Sequence, residues 1–354
     1  MNKNLDFLRA VAVLLVTGGH LAAFFGWLGP YAGVRLVTLG TLGVLLFFVH
    51  TCLVLMQSLE RDPGAASFLL RRIFRIYPLA IVVISLIIVS RIPQGSIDLH
   101  HFGGYTPDFR DIISNLSLTQ NFSLGAPILG PTWSLSYEMQ MYLFLPLFFA
   151  LACTVSRAFA LYFLSITVAL TARHFSPALN LAYYAPCFLP GIVAYQIMKT
   201  KPRKLRAYGW PVVVILLCLV YTMGKDSQFK DYALCAMVGL AVPRFEQLRF
   251  PPLTQACHYV AKYSYGIYLS HFAIIYFAFE RGGHLPLLLQ FALFFALLAI
   301  IPAVLFHTIE DPMIQFGKKI VANGARKRGQ SVAIPVPSNA GTAKEPLALR
   351  PTVD

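Results

Sequence analysis

The chain has 354 residues, of which 57% are hydrophobic and only 12% are charged, and its mean hydropathy is +0.65. Soluble proteins carry about twice that charged fraction, roughly 25%. Apolar runs recur from one end of the sequence to the other, with no soluble-looking block between them. The composition therefore excludes soluble enzymes, disordered proteins, collagens and disulfide-rich secreted modules. It predicts an all-α fold, a polytopic membrane helix bundle.

Ten stretches are apolar enough to cross a bilayer core, for which a helix needs roughly 20 residues. They are residues 5–25, 36–57, 76–91, 137–153, 158–173, 181–198, 208–223, 232–243, 263–280 and 285–306. Three of these runs are short or marginal, so eight spans is the alternative count. The first run follows Lys3 as a signal peptide would. Because the residues around Gly18 form a poor cleavage site, we expect a retained helix.

The balance of charges indicates the orientation. The chain has 29 Lys and Arg against 15 Asp and Glu, a formal charge of +14, which is typical of nucleic-acid binding or of cytoplasmic loops. If the N-terminus is cytoplasmic and ten spans alternate, few basic residues fall outside. These are Arg35, Arg91, Arg110, Arg173, Lys225, Lys230 and Arg281. The bias follows the positive-inside rule and predicts two cytoplasmic termini. It argues against a nucleic-acid partner, because the charge is spread over many loops.

Composition divides the chain into two parts. Residues 1–316 are the predicted integral-membrane domain, and residues 317–354 are a predicted cytoplasmic tail. The tail is basic, contains Pro, Ser, Gly and Ala and lacks apolar periodicity, so we expect it to be disordered. The outer segment 92–136 is long for a loop, at about 45 residues, and is a candidate lid or binding element. The six cysteines occur singly, without metal or redox spacing, so no metal site is expected.

Ionisable side chains inside the spans are candidates for function, because hydrocarbon penalises them. Arg9 and His20 share one face of the first span, about 16 Å apart along the axis. Arg9 alone could be an orientation-setting charge, and His20 alone a histidine hydrogen-bonded between helices. Glu138, in the fourth span, is expected on the same side of the membrane as His20. A carboxylate bonded to one imidazole nitrogen would orient the ring as a general base.

Further polar residues lie at the mouth of the third span and inside the ninth. Arg71, Arg72 and Arg75 stand within five positions of one another. They are either ordinary positive-inside charge or a clamp for phosphates, which guanidinium groups bind in a bidentate manner. On the ninth span, His271 is expected near mid-membrane, following Tyr268.

Five segments, taken in order, resemble the acyltransferase family 3 membrane proteins, which acylate carbohydrates and other hydroxylated molecules. They are Leu5–Ala12 with His20, Gly40 and Gly43 with Phe47-Phe48, Arg72 and Arg75 with Pro78, Thr132–Tyr142, and Ser264–His271. The resemblance extends from about residue 5 to about residue 316. After the two phenylalanines the family typically continues to Ser-Gly-Phe, whereas this chain has Thr51-Cys52-Leu53. The esterase-like domain that some members carry is not expected, because too few residues follow 316.

The resemblance implies transfer of an acyl group, most often acetyl, from cytoplasmic acyl-CoA to a hydroxyl of an extracytoplasmic or lipid-linked glycan. His20 would be the general base or a transient acyl carrier, with Glu138 as its orienter or an alternative base. Arg9 would guide the thioester toward the core. The residues implied for acyl-CoA are Arg71, Arg72, Arg75, Tyr268 and His271. Those implied for the acceptor are Trp133, Ser136 and Tyr142.

The implied partners are acyl-CoA, the lipid bilayer and a glycan, glycolipid or other hydroxylated acceptor, and the implied location is a bacterial inner membrane. Two other functions remain open from the residues alone. Buried His, Arg and Glu also mark the substrate paths of proton-coupled secondary transporters. A non-catalytic component of a glycan-export assembly could carry the same groups in purely structural roles. The identity of the acceptor does not follow from the sequence.

Overall fold

The computed structural model describes residues 2–27, 30–31, 34–92, 106–123, 127–172, 175 and 180–327. The helices are α1 Lys3–Phe24, α2 Leu39–Arg61, α3 Ala65–Ser90, α4 Phe109–Leu116, α5 Gln120–Ser123, α6 Trp133–Leu151, α7 Val155–Ala172, α8 Asn180–Phe188, α9 Pro190–Lys199, α10 Gly209–Met223, α11 Gln228–Ala241, α12 Pro251–Ile275, α13 Leu287–Leu305 and α14 Asp311–Lys327. Two-residue strands, β1 Pro30–Tyr31 and β2 Val34–Arg35, pair in antiparallel fashion. The prediction of an all-α helix bundle is confirmed.

Six helical stretches within the described ranges are long and apolar enough to cross a membrane. They are Lys3–Phe24, Leu39–Arg61, Ala65–Ser90, Val155–Ala172, Asn180–Lys199 and Leu287–Gly324. These stretches fit an integral membrane protein, but the predicted count of ten spans is not confirmed. Helices α6 and α12 also overlap predicted spans. These two helices are not among the six, and they carry polar side chains such as Glu138 and Tyr268, which line an internal cavity.

Helices α1 and α12 lie side by side and run in the same direction. Three polar pairs join them, in the same order along both helices. The pairs are Asp6–His258 at 3.2 Å, Arg9–Ser264 at 2.6 Å and His20–His271 at 3.0 Å. Polar groups that face a neighbouring helix are removed from the lipid, and each bond fixes the register of the two helices. This parallel pair is the element that carries most of the candidate site.

Helices α1 and α2 approach each other closely at two glycines. A Cβ atom on Gly19 would lie 2.5 Å from the backbone nitrogen of Gly40, and one on Gly43 would lie 2.5 Å from the carbonyl oxygen of Ala12. No side chain fits at either distance, so the two backbones are in direct contact. The contacts also show that the helices are antiparallel, since later residues of α1 meet earlier residues of α2.

Cys52, which stands where the Ser-Gly-Phe pattern has glycine, packs against a glycine of helix α9. Cys52 is fully buried, and a Cβ atom on Gly191 would lie 2.7 Å from the Cβ atom of Cys52. The bulkier residue on α2 is thus matched by a glycine on the facing helix. The close approach of α2 and α9 therefore depends on the small residue at position 191.

Two predicted boundaries are displaced at the ends of helices α3 and α14. Helix α3 begins at Ala65, well before the predicted start at residue 76, because Arg72 and Arg75 face a cavity rather than lipid. Helix α14 continues to Lys327, past the predicted start of the tail at 317. It is held there because Gly317 packs directly against Phe74 of α3. The rest of the predicted tail, 328–354, and parts of the outer segment, 93–105 and 124–126, lie outside the described residues.

We predict that Gly19→Ala destabilises the bundle, because the added Cβ atom would overlap the backbone of Gly40. Overpacking of this kind costs about 1–3 kcal/mol. The matched control is Gly18→Ala at the neighbouring position, where an added Cβ atom meets nothing within 4 Å. Thermal unfolding of the purified variants in detergent compares the two. Equal unfolding midpoints would contradict the close crossing of α1 and α2.

Candidate active site

A cavity of about 230 Å³ lies between helices α1, α2, α3, α6 and α12. Its lining residues on α2 recur along one face of the helix, from Arg61 to Val44. At 1.5 Å per residue, that face is about 25 Å long. Arg61 is exposed on the side of the bundle where α1 begins, which we call the N side. The cavity therefore extends from the surface of the N side to the middle of the bundle.

Positive charge is concentrated in the N-side half of this cavity. Four arginines from three helices line it, namely Arg9, Arg61, Arg72 and Arg75. The Nε atom of Arg72 is buried and has no hydrogen-bond partner among the described residues. Guanidinium groups bind the oxygens of phosphate and carboxylate in a bidentate manner, and this arrangement is typical of an anion site. The cavity is therefore suited to a ligand with phosphate groups near its mouth.

A buried carboxylate, Glu310, lies next to the arginines. Its Oε1 atom is 3.5 Å from Nη2 of Arg75, and its side chain is fully enclosed. Glu310 ends a π-helical segment, Phe306–Glu310, between α13 and α14. In the sequence Glu310 precedes Asp311 and Pro312, a pattern typical of a helix end that does not indicate burial. Only the packing of α14 on α3 brings it inside.

The three predicted phosphate-binding arginines separate into two environments. Arg72 and Arg75, three positions apart, share the face of α3 that lines the cavity. Arg71 is outside this lining, and its Nη1 atom donates a hydrogen bond to Asp62. Arg61 lines the cavity instead, although no motif distinguishes it from other basic residues at helix ends. Its position depends on the antiparallel packing of α2 on α1, which no local pattern reveals.

Glu138 does not form the expected pair with His20. Its carboxylate accepts a hydrogen bond from the hydroxyl of Tyr142, one turn further along α6, and both side chains line the cavity. Helix α6 begins at Trp133 rather than at the predicted residue 137. Glu138 is consequently deeper in the bundle than expected and lies in the arginine-lined part of the cavity. It is the carboxylate that faces these arginines from the lining itself.

His20 contacts His271 of α12 instead. The Nδ1 atom of His20 is 3.0 Å from Nε2 of His271, and Nδ1 of His271 is 3.1 Å from the carbonyl oxygen of Ile267. His271 is fully buried, whereas His20 is partly exposed. The ring of Phe272 packs against both imidazoles, with centroids 4.7 Å and 5.3 Å away. The Nε2 edge of His20 faces Gly40, where a Cβ atom would be 3.9 Å away.

The wall between the cavity and the histidine pair is formed by Tyr268. Its ring lines the cavity, and its centroid is 6.2 Å from that of His271. Its hydroxyl donates to the carbonyl of Pro131 and is 2.7 Å from the hydroxyl of Ser134, which holds the ring in place. On α2 the lining ends at Val44, about 6 Å before Gly40. The cavity thus ends about one helical turn from His20.

The residues predicted to contact the acceptor are not brought together. Tyr142 lines the cavity, whereas Trp133 and Ser136 are absent from its lining. Trp133 packs in an aromatic cluster, 5.4 Å from Tyr184 by ring centroids. Ser136 is fully buried, and its hydroxyl has no hydrogen-bond partner in the described part of the chain. Within the described ranges, no three His, Cys, Asp or Glu side chains are placed to share a metal ion.

The fold and the cavity define a polytopic membrane protein with an arginine-lined internal site. Residues 2–307 match the family model described as an acyltransferase domain. Because this match covers most of the sequence, the chain belongs to acyltransferase family 3, as its five segments predicted.

Two relatives are similar over most of their length. "Acyltransferase MdmB" from Streptomyces mycarofaciens is 28% identical over an alignment of 372 residues including gaps. The alignment covers 88% of this chain and 91% of that protein. "Putative acetyltransferase ORF330" from Acidianus two-tailed virus is 26% identical over 300 residues, covering 77% of this chain and 84% of that protein. No solved structure matches the chain. Family and relatives together support acyl transfer as the activity of this membrane protein.

We predict that Arg75→Ala destabilises the protein more than the double variant Arg75→Ala/Glu310→Gln does. Removing the arginine alone leaves a buried carboxylate without its neighbouring charge, which costs about 3–5 kcal/mol in buried ion pairs. Neutralising Glu310 as well removes that penalty. The measurement is the thermal unfolding midpoint in detergent. Wild type, the two single variants Arg75→Ala and Glu310→Gln, and the double variant together form a double-mutant cycle. A double variant no more stable than Arg75→Ala would contradict the pairing.

Proposed function

We propose that the protein is an O-acyltransferase that moves an acyl group, acetyl as is most frequent in the family it resembles, from acyl-CoA to a hydroxyl of a glycan, glycolipid or other hydroxylated acceptor. The observation that supports this proposal is the arginine-lined cavity, which opens on the N side and ends about one turn from His20. We take the N side as cytoplasmic, because the basic residues concentrate there. The membrane would then be a bacterial inner membrane, with both termini in the cytoplasm.

The shape and charge of the cavity fit the donor in two parts. A cavity of about 230 Å³ is too small for a whole acyl-CoA molecule, since sites for drug-sized ligands measure about 300–1,000 Å³. The phosphates of the nucleotide would therefore stay at the mouth, bound by Arg61, Arg72 and Arg75. The thin pantetheine arm would lie along the face of α2 and pass Arg9. Its thioester would end near Tyr268, beside the histidine pair.

His20 is the proposed general base. Its Nε2 atom would take the proton of the acceptor hydroxyl while the oxygen attacks the thioester carbonyl. A C–O bond forms, the C–S bond breaks, and the proton passes from His20 to the departing thiolate of CoA. The acceptor would enter from the side opposite the N side, because His20 lies in the last part of α1 and is partly exposed. A transient acyl group on the same nitrogen is the two-step alternative.

Family membership favours this activity over the two alternatives that the residues alone left open. A proton-coupled transporter would work without acyl-CoA and would depend on a proton gradient. A non-catalytic export component would leave no ester on any acceptor. The formation of an ester that depends on His20 therefore separates the enzyme from both alternatives.

We predict that His20→Ala lowers acyl transfer by roughly 10²–10⁴-fold, the usual effect of removing a general base. The measurement is mass spectrometry of glycans and glycolipids from cells that express equal amounts of wild type or variant. The matched control is His284→Ala, an exposed histidine between α12 and α13, which should keep full activity. Equal ester in wild type and His20→Ala would remove His20 from the mechanism. No ester in any strain would contradict the proposed acceptor class.

We predict that Arg72→Ala raises the apparent KM for acyl-CoA about tenfold or more and changes kcat little, because a phosphate contact is made equally in ground state and transition state. The matched control is Arg71→Ala at the adjacent position, whose guanidinium bonds Asp62 outside the cavity lining. Steady-state kinetics on membrane fractions measures both. Equal changes in KM would indicate a general effect of surface charge and contradict the cavity as the donor site.

A further inference from the structure

The histidine pair between α1 and α12 is joined by hydrogen bonds that have only one consistent direction. We infer that His271 is a positioning residue, which holds His20 in the tautomer that carries its proton on Nδ1 and its lone pair on Nε2. This inference rests on the proposed function, because the tautomer matters only if His20 accepts a proton from the acceptor hydroxyl.

The direction is set by the backbone of α12. The Nδ1 atom of His271 is 3.1 Å from the carbonyl oxygen of Ile267, one turn earlier in the helix. A carbonyl oxygen can only accept a hydrogen bond, so Nδ1 of His271 must carry the proton. A neutral imidazole has a single N–H group, and Nε2 of His271 is therefore an acceptor.

The next bond transmits this direction to His20. The Nε2 atom of His271 is 3.0 Å from Nδ1 of His20, and an acceptor on one side requires a donor on the other. His20 must therefore carry its proton on Nδ1, which leaves the lone pair on Nε2. The backbone carbonyl of Ile267 thus favours one tautomer of a ring on a different helix, and Val16, one turn earlier in α1, supplies a second backbone acceptor for the ring of His20.

The neutral state of the pair follows from its surroundings. A second proton on fully buried His271 would create a charge that needs a carboxylate partner. Two carboxylates inside the described bundle are engaged elsewhere, since Glu138 accepts from Tyr142 and Glu310 faces Arg75. Neither bonds to an imidazole of the pair.

The free nitrogen of His20 faces a glycine of the neighbouring helix α2. Gly40 of α2 faces the Nε2 edge of the ring, and no side chain fills the gap between them. Phe272 packs against the ring with an interplanar angle of 65° and limits its rotation. A hydroxyl that approaches along Gly40 would meet the lone pair rather than an N–H group.

The test compares two substitutions of similar size at position 271. His271→Gln keeps an oxygen that can accept from Nδ1 of His20, whereas His271→Leu removes every acceptor. We expect kcat to fall at least about tenfold in His271→Leu, since wrong-tautomer variants of other histidine bases lose up to about 10⁴-fold. His271→Gln should retain at least about a third of kcat if one accepted hydrogen bond suffices. The KM for acyl-CoA should stay unchanged in both.

Two further readouts keep the inference testable if His271→Leu fails to fold or if no acyl transfer is found. ¹⁵N-histidine NMR of the wild-type protein in nanodiscs, with His20→Ala to assign the signal, reports which nitrogen of His20 carries the proton. A proton on Nδ1 supports the inference, and a proton on Nε2 overturns it. Equal kcat for His271→Gln and His271→Leu, or a changed KM alone, would also overturn it. Absence of transfer in wild type would instead count against the proposed function.

Discussion

The penalty for placing charge in hydrocarbon is the constraint on which this structure depends. Arg9 meets this constraint by donating a hydrogen bond to Ser264 of α12. Arg72 and Arg75 meet it by facing an internal cavity instead of lipid. Each of these arrangements requires that a neighbouring helix place its polar residue or cavity wall at the same depth in the bundle as the arginine. The polar residues therefore determine how α1, α3 and α12 are placed relative to one another, while the apolar residues determine only that they are helices in a membrane.

Helix α12 is where these requirements converge. Ser264, Tyr268 and His271 follow one another at intervals of four and three residues, so they form a polar stripe along one side of the helix. The stripe contacts α1 at Ser264 and His271 and contacts α6 at Tyr268. The same stripe that binds the helices together thus also connects the cavity to the histidine pair. Stability and the proposed chemistry rest on the same side chains.

The arrangement separates a positively charged, anion-binding site from the neutral histidine pair along the axis of the bundle. Arginines surround the N-side half of the cavity, and the histidine pair lies beyond Tyr268, next to the crossing of α1 and α2. Under the proposed function, the phosphates of the donor would lie in the first site and its thioester would lie near the second. The glycine contacts at Gly19 and Gly43 keep α1 and α2 close enough for this geometry, because any side chain there would push the helices apart.

The sequence by itself determined the class of fold, the first and second helices and the family, because apolar length, charge bias and short motifs are local properties. It also selected Arg9, His20, Arg72 and Arg75 as residues that hydrocarbon should not tolerate. Only the tertiary structure decided which polar side chains contact one another. Glu138 faces arginines rather than His20 because α6 begins earlier than its apolar run suggests. His271 takes the place beside His20 because α1 packs parallel to α12, and Glu310 is enclosed next to Arg75 because α14 packs on α3. Neither depth within the bundle is encoded by a single helix.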